Sequence, residues 1–503
     1  MANLSKSKLL AWRQCPKRLW LEIHRKKLLN FSAATEATHQ TGHNVGDIAR
    51  RIYDPAGEGH FLDLKKISFA ELLTHSEALS KNGRQAIFEA GFCANGALSL
   101  ADVMLPVKQG RKRAWRMVEV KSSTSLKDYY RDDAAIQAYI TRAAGVPLVA
   151  ISLAHIDKNW IYPGKGDYQG LLVEHDLTEE AFARGEEVEG WIAAAQSVAR
   201  KRKEPAIGTG DHCTAPYACG FADYCSSQEP QAEYPVHWLP RVQTKALKEH
   251  LAQGCGELCD VPDELLNERQ LRVKHCTLND ETWFDAEGAA ADLEPHKLPG
   301  YFLDFETVQF AVPIWKGTRP YQQIPFQFSV HRLSRSGKLE HREFLDLSGK
   351  DPSKKFAEAL IEACGQRGPV FVYNAAFETT RIKELADRFP KLKKPLLAIN
   401  ERVVDLLKVA EARYYHPSQQ GSWSIKKVLP TIAPDLRYDA LDSVQDGGMA
   451  MEAFKEAINL ECAKDRKAEI DQELRAYCCL DTIAMVRLWS RFSIQQESKS
   501  KAL

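Results

Sequence analysis

Residues 300–310 read GYFLDFETVQF, and the placement of acids in this stretch decides the fold of the C-terminal part of the chain. An apolar, aromatic run bounded by glycine predicts a buried strand. Asp304 and Glu306 stand two apart on it, so both side chains leave the same face and can share a divalent cation. Outward from there, IPFQFSVHRL and HREFLDL predict two more strands, then a helix and the strand PVFVYN, with helices continuing to Leu488. FVYNAAFETTRIKEL ends a strand at Asn374 and sets Glu378 at the start of a helix. In LRAYCCLDTIAMVRLW, Tyr477 and Asp481 lie four apart in a helical pattern and share one face. Four acids from one strand and two later helices, with a phenol one turn from the last, meet the needs of two-metal phosphodiester hydrolysis. There, carboxylates hold two cations roughly 3.5–4 Å apart, one activating water and the other stabilising the leaving oxygen. The Tyr477 phenol can orient that water.

These residues, spread over 298–490, resemble the DEDD family of 3′-to-5′ exonucleases, and more closely its tyrosine subclass. Asp304 and Glu306 match the D-x-E of the first motif, Asn374 to Glu378 the N-x-x-F-D of the second, and Tyr477 with Asp481 the Y-x-x-x-D of the third. The resemblance implies an RNase H-like fold, Mg²⁺ or Mn²⁺ held by Asp304, Glu306, Glu378 and Asp481, and digestion from 3′ ends. Glu378 departs from the pattern, since most members carry aspartate; its longer side chain still reaches a cation but alters metal spacing. Asp405 in VVDLLK resembles a recurrent acid of the same fold and is expected to support the site rather than ligate. Asn374, Lys426 and Lys427 are expected to contact nucleic acid, the lysines at phosphates. Trp423, Tyr414 and Tyr415, in YYHPSQQGSWSIKKVLP, either stack on bases or fill the core. Together with YNAAFE and YCCLD, that stretch also resembles a domain of unknown function found C-terminally in predicted RecB-type nucleases.

Towards the N-terminus, LLAWRQCPKRLWLEI and NVGDIARRIY read as helices. ALSLADVML and AWRMVEVKSS predict strands around the basic turn KQGRKR, followed by the helix-like DDAAIQAYITRAAG and the buried strand PLVAISLA. Asp102 is expected to end one strand, and the next carries Glu119 and Lys121 on one face with Val120 on the other. Asp102 and Glu119 would hold a cation while Lys121 stabilises the attacking hydroxide or the charged transition state. An E-x-K alone is also what an ordinary exposed strand shows. The segment resembles the PD-(D/E)XK superfamily in its RecB-type branch, with a restriction-endonuclease-like fold whose core runs D, then E-x-K, then a helix bearing glutamine and tyrosine. Gln137 and Tyr139 fit that helix at a shortened spacing, which implies a catalytic role for Gln137 and a nucleic-acid contact for Tyr139. The family's early histidine falls in register at Gly46, with His39 and His43 out of register. A cleaving domain and a non-cleaving DNA-holding module both stay open.

The loop HCTAPYACGFADYC spaces Cys213, Cys219 and Cys225 with five residues between each, with Cys15 far upstream in RQCPKRLW. Three near thiolates and one remote can wrap a tetrahedral zinc or a 4Fe-4S cluster. The arrangement is similar to that of the iron–sulfur nucleases of the RecB branch, including CRISPR-associated exonucleases and the AddAB helicase-nuclease. That similarity implies a structural 4Fe-4S cluster, with zinc as the alternative. Cys255, Cys259 and Cys276 lack a clear fourth ligand, and Cys478 and Cys479 lie inside an apolar helix, so all are expected as core. The basic runs KQGRKR, RKRK and KLKK either follow a phosphate backbone or are solvated turns.

The 503 residues, 44% hydrophobic and 27% charged, exclude disordered and fibrous classes. Lys plus Arg is 68 against 67 Asp plus Glu, so any nucleic-acid affinity is local. The uncharged run Ala143 to Ile156 is short of the roughly 20 residues a spanning helix needs. With no signal-peptide pattern at the start, a cytoplasmic protein is expected. Twelve cysteines, several clustered, suit a reducing compartment better than a disulfide framework. The expectation is an α/β multidomain chain: a nuclease domain over 1–230, a helical connector over 231–297, an exonuclease domain over 298–490 and a tail over 491–503. Its substrate is expected to be nucleic acid, single-stranded DNA ahead of RNA, in repair or defence. No G-x-x-x-x-G-K-[ST] loop is present, so unwinding would need a helicase or defence-system partner. A scaffold for such a complex, cleaving nothing, is the remaining alternative.

Overall fold

Pro16 has no N–H to donate and disfavours helical geometry at the residue before it. The stretch LLAWRQCPKRLWLEI is accordingly two helices, Lys6–Gln14 and Pro16–His24, with extended backbone at Cys15, where a single helix was predicted. This is seen in a computed structural model that describes residues 3–30, 33–110, 112–441 and 443–494. Arg111 of KQGRKR, the side chain of His39 and all of the expected tail beyond Ile494 lie outside them.

The chain is mixed α/β and divides into two units. The first comprises Met1–Pro230 and Phe310–Tyr321, the second Gln231–Gln309 and Gln322–Leu503. The expected connector over 231–297 thus belongs with the second unit. Two ties that no local pattern announces hold it there: Trp283–Phe284 pairs with Tyr414–Tyr415, and Arg413 bridges to Asp285 and Asp292. Residues 310–321 join the first unit, where Ala311 is buried in a cluster with Val45, Ile48, Ile156 and Leu171.

In the first unit the described strands are β1 (Leu4–Ser5), β2 (His60–Phe61), β3 (Ile87–Ala94), β4 (Ala97–Gln109), β5 (Lys112–Lys121), β6 (Leu148–Ile156) and β7 (Leu172–Asp176). They form one sheet in the order β2-β3-β4-β5-β6-β7, with β1 parallel to β4. β4 continues to Gln109 because apolar residues persist through Val107 and the chain turns only at Gly110, so Asp102 sits mid-strand and does not end it. The helix Asp128–Ala143 packs on this sheet and buries Asp133, Ile136, Gln137 and Ile140. Residues 175–199 are the end of β7 and two helices, Thr178–Ala183 and Gly185–Ala199. Helical backbone lapses at Arg184, before a glycine of weak helix propensity.

In the second unit the strands are β8 (Trp283–Phe284), β9 (Gly300–Val308), β10 (Ile324–Leu333), β11 (Leu339–Leu345), β12 (Val370–Val372), β13 (Val403–Asp405) and β14 (Tyr414–Tyr415). Five of them form a sheet in the order β11-β10-β9-β12-β13. β10 is antiparallel to β9 and β11, whereas β12 is parallel to β9 and β13. Leu303, Phe305, Phe328 and Val330 form one face with the helices Ser353–Cys364, Ala376–Arg388 and Lys393–Asn400, through Phe356, Leu360, Ile382 and Ile399. The alternate residues, Asp304 and Glu306 among them, face the other way. There the long helix Lys464–Ser493 covers β9 and β10, running past the expected domain end at 490. No helix among the described residues is long and apolar enough to cross a membrane, and all twelve cysteines are free.

Candidate functional site

β9 supplies Asp304 and Glu306, and the long helix brings Asp481 against them from across the chain. One ligand oxygen from each lies within 4.8 Å of the others. Glu306 and Asp481 are buried and Asp304 partly so. Burial and the charges of Asp481, Glu306 and Glu378 hold the Asp304 carboxyl well above the usual range. Glu306 is raised in the same way, by burial and then by Asp481. Asp481 is pushed up by burial only to about 6, because the Tyr438 hydroxyl and the Lys426 ammonium stabilise its charged form. Such a cluster retains protons until a cation replaces them.

Glu378 opens the helix Ala376–Arg388 and is 2% exposed. Its Oε2 has no hydrogen-bond partner, and burial pushes its carboxyl up to about 8. The structure does not place it in the 4.8 Å group, although its charge acts on Asp304 and Glu306. A bare, buried acceptor beside three converging carboxylates fits a hard divalent cation of the Mg²⁺ or Mn²⁺ kind.

Tyr438 was not singled out by its sequence context. Its hydroxyl donates to Asp481 Oδ1 at 2.5 Å, and its ring lies 6.3 Å from that of Tyr477. Tyr477, one turn before Asp481, supports the same carboxylate. Burial, and then Asp481, push both phenols far up, so they act as hydrogen-bond donors and never as bases. Lys426 packs its ammonium 5.4 Å from both ring centroids and donates to the Gln445 carbonyl at 2.5 Å. It is therefore part of the carboxylate site. Lys427, one residue on, is exposed and bonds Gln420.

Asp405 holds the end of β12. Its two oxygens accept from the Asn374 and Ala375 amides at 3.0 and 3.2 Å, and Oδ1 also caps the next helix at Leu407. Asn374 is exposed with φ at 77°, a left-handed conformation that asparagine tolerates. Trp423, Tyr414 and Tyr415 are buried and cannot stack on bases: Trp423 donates to the Tyr414 carbonyl, and Tyr415 bonds Thr277.

In the first unit, Glu119 and Lys121 share a face as expected, and their partners are unexpected. Glu119 Oε1 meets Lys6 Nζ at 2.7 Å and Lys121 Nζ at 2.6 Å, while Oε2 accepts from Gln137. Asp133, one helical turn before Gln137, pairs with the same two lysines at 3.0 and 2.5 Å. Burial raises Glu119 to about 7, with Asp102 and Asp133 adding to it. Asp133, despite its burial, is held well below the usual range by Lys121 and Lys6. Asp102 accepts the Val120 amide at 2.7 Å and is raised by burial. Glu89, with φ at 58° in β3, adds a further acid whose charge acts on Asp102. Asp133 had a readable signal, four residues before Gln137, whereas Lys6 had none. Tyr139 does not join the cluster: two residues from Gln137 it points about 200° away, and its hydroxyl accepts from Asn95.

Cys15, Cys213, Cys219 and Cys225 line one pocket with Lys17, Arg18 and His212. The break at Pro16 places Cys15 there, and the short helix Ala222–Ser227 carries Cys225. Among the described residues these sulfurs are not in any group of three donors within 4.8 Å. The expected core residue Cys259 is exposed, and Cys255 is half-buried. Lys108, Lys112 and Arg113 of KQGRKR, the whole of RKRK, and the lysines of KLKK are exposed.

A domain of unknown function, DUF2779, matches residues 301–424. That span contains Asp304, Glu306, Asn374, Glu378 and Asp405 and stops before Lys426, Tyr438, Tyr477 and Asp481. No curated protein matches the chain.

Proposed function

We propose that the protein is a metal-dependent nuclease with a 3′-to-5′ exonuclease site in its second unit, acting on single-stranded DNA, with RNA as the alternative polymer. The observation that carries this is the convergence of Asp304, Glu306 and Asp481 within 4.8 Å, beside the bare carboxylate oxygen of Glu378. A central strand with an antiparallel neighbour on one side and a parallel one on the other supports the RNase H-like reading. Asp304, Glu306 and Asp481, with Glu378 nearby, would hold Mg²⁺ or Mn²⁺, which when bound supplies Lewis-acid activation of water and of the phosphoryl group. The chain's own groups prepare the site. Tyr438 and Tyr477 fix the orientation of Asp481, Lys426 offers positive charge to a phosphate, and Asp405 sets the strand end that carries Asn374 and leads to Glu378.

For the first unit the restriction-endonuclease-like reading stands on Asp102, Glu119 and Lys121, with Gln137 bonded to Glu119. One observation favours a holding module over a cleaving one: Lys6, Lys121 and Gln137 occupy both oxygens of Glu119. For the four cysteines, their convergence on one pocket supports a bound metal group, read as a 4Fe-4S cluster that clamps the Cys15 turn, with tetrahedral zinc as the alternative. Anaerobic purification with iron and sulfide analysis tests this, and Cys213→Ser should abolish the iron.

The function is tested by a Mn²⁺ time course on single-stranded DNA and RNA labelled at each end, using wild type, Asp304→Ala and Lys121→Ala. A 3′-to-5′ ladder lost in Asp304→Ala alone is the expected result. Cleavage that survives Asp304→Ala and is lost in Lys121→Ala would move the chemistry to the first unit.

A further inference from the structure

Beside the carboxylates, on the same face of the second sheet, lies a cluster of different chemistry. His331 on β10 pairs in register with His341 on β11, and their rings stack with centroids 4.5 Å apart. Cys479 approaches from the long helix, and one donor atom from each of the three residues lies within 4.8 Å of the others. Sequence context had assigned Cys479 to the apolar interior of that helix. It is instead half-buried, and His341 is exposed.

The hydroxyls of Thr482 and Ser329 each engage one nitrogen of an imidazole. Thr482 Oγ1 lies 2.8 Å from His331 Nδ1 and 2.7 Å from the Ser329 hydroxyl, which in turn lies 2.8 Å from His341 Nε2. Thr482 is also 3.1 Å from the Cys479 carbonyl, to which it can donate. With each hydroxyl accepting from its histidine, the other nitrogen of each ring keeps a lone pair. This is the arrangement in which a neighbouring group orients an imidazole as a metal ligand. Burial, with His341 beside it, keeps His331 neutral down to about pH 4.

We propose that His331, His341 and Cys479 form a binding site for a divalent cation of the zinc class. Two imidazoles and a thiol select a borderline-soft ion over Mg²⁺, and three protein donors with one side open to solvent leave a fourth position for water. On binding, the Cys479 thiol gives its proton to solvent and coordinates as thiolate. The ion ties β10 and β11 to the helical turn that carries Asp481, two residues further along. This site is independent of the nuclease reading: it differs from the carboxylates in ligand type and from the four-cysteine pocket in every residue.

The test is a zinc titration of the reduced, metal-stripped full chain against a chromophoric chelator, comparing wild type with His341→Ala and Cys479→Ser. His341 is exposed on an edge strand, so its replacement leaves the fold intact, which circular dichroism checks. Each variant should bind one equivalent of Zn²⁺ fewer than wild type. Co²⁺ loaded into wild type should show a thiolate charge-transfer band that weakens in Cys479→Ser. Equal zinc stoichiometry in the three folded proteins would overturn the proposal, and so would loss of the same equivalent in Cys213→Ser.

Discussion

Replacing Asp481 with asparagine should stabilise the metal-free protein above about pH 6 and remove most of its response to Mn²⁺. In the folded state Asp481 keeps its proton up to about 6, against 3.8 for an unperturbed aspartate. Between those values the folded state binds more protons than the unfolded state, so stability falls as pH rises through the window. The penalty is absent below the lower value and complete above the upper one. About two units correspond to about 3 kcal/mol. Asparagine removes that penalty and keeps an oxygen to accept from Tyr438, while Lys426 loses one of its opposite charges. A net gain of about 1–2 kcal/mol remains, or roughly 3–6 °C in a unit of this size. The assay is thermal unfolding followed by circular dichroism, in chelator at about pH 5 and about pH 8 and then with Mn²⁺. Wild type should lose stability between the two pH values and regain it with the ion; Asp481→Asn should show a shallower fall and little gain. A variant less stable than wild type at the higher pH in chelator, or one stabilised fully by Mn²⁺, would refute the reasoning.

Tyr438→Phe removes the hydroxyl that favours ionised Asp481, so the acid limb of the Mn²⁺-dependent pH–rate profile should move to higher pH, with kcat down about tenfold at neutrality. Lys6→Ala leaves Glu119 and Asp133 with Lys121 as their one close ammonium and should destabilise the first unit by about 3 kcal/mol, read from urea unfolding. Gly46→Ala, in the interior of the helix Ala33–Tyr53 where an added Cβ meets nothing within 4 Å, should stabilise by about 0.5–1 kcal/mol in the same assay.

What the sequence showed of this fold follows the range of the forces involved. The alternation in YFLDFET marks β9 and places Asp304 and Glu306 on one face because pleating is local. The break at Cys15 was equally local, since Pro16 was visible, and a continuous apolar period concealed it. Membership of 231–297 in the second unit depends on β8 meeting β14, a pairing of residues over a hundred positions apart that no window of sequence contains. Sites divide in the same way. Tyr477 and Asp481 share a helical face by spacing alone, but Tyr438 reaches Asp481 from 43 residues away. Cys479 was misassigned because its neighbours in sequence are apolar, whereas β11 brings it a histidine from another element.

The two acid clusters use similar residues and reach opposite electrostatic states. In the second unit, Asp304, Glu306 and Asp481 converge with Lys426 as the nearby cation, and their carboxyls are raised in consequence. That energy would be recovered on binding of a divalent ion in place of the retained protons, and the bare Glu378 oxygen is one more unmet contact there. In the first unit, two ammonium groups already lie between Glu119 and Asp133, and the latter is fully ionised because of them. A divalent ion entering that cluster must expel Lys6 or Lys121 and leave an unpaired buried charge, a cost of several kcal/mol. The same E-x-K pattern that suggests metal-assisted cleavage therefore forms, in this chain, an ion-paired network in which Lys6 would compete with a metal. Lys426 acts on the acids of the second unit by charge, but among the described residues no ammonium is ion-paired with them, and for that reason the carboxylate centre is the one proposed to carry the chemistry.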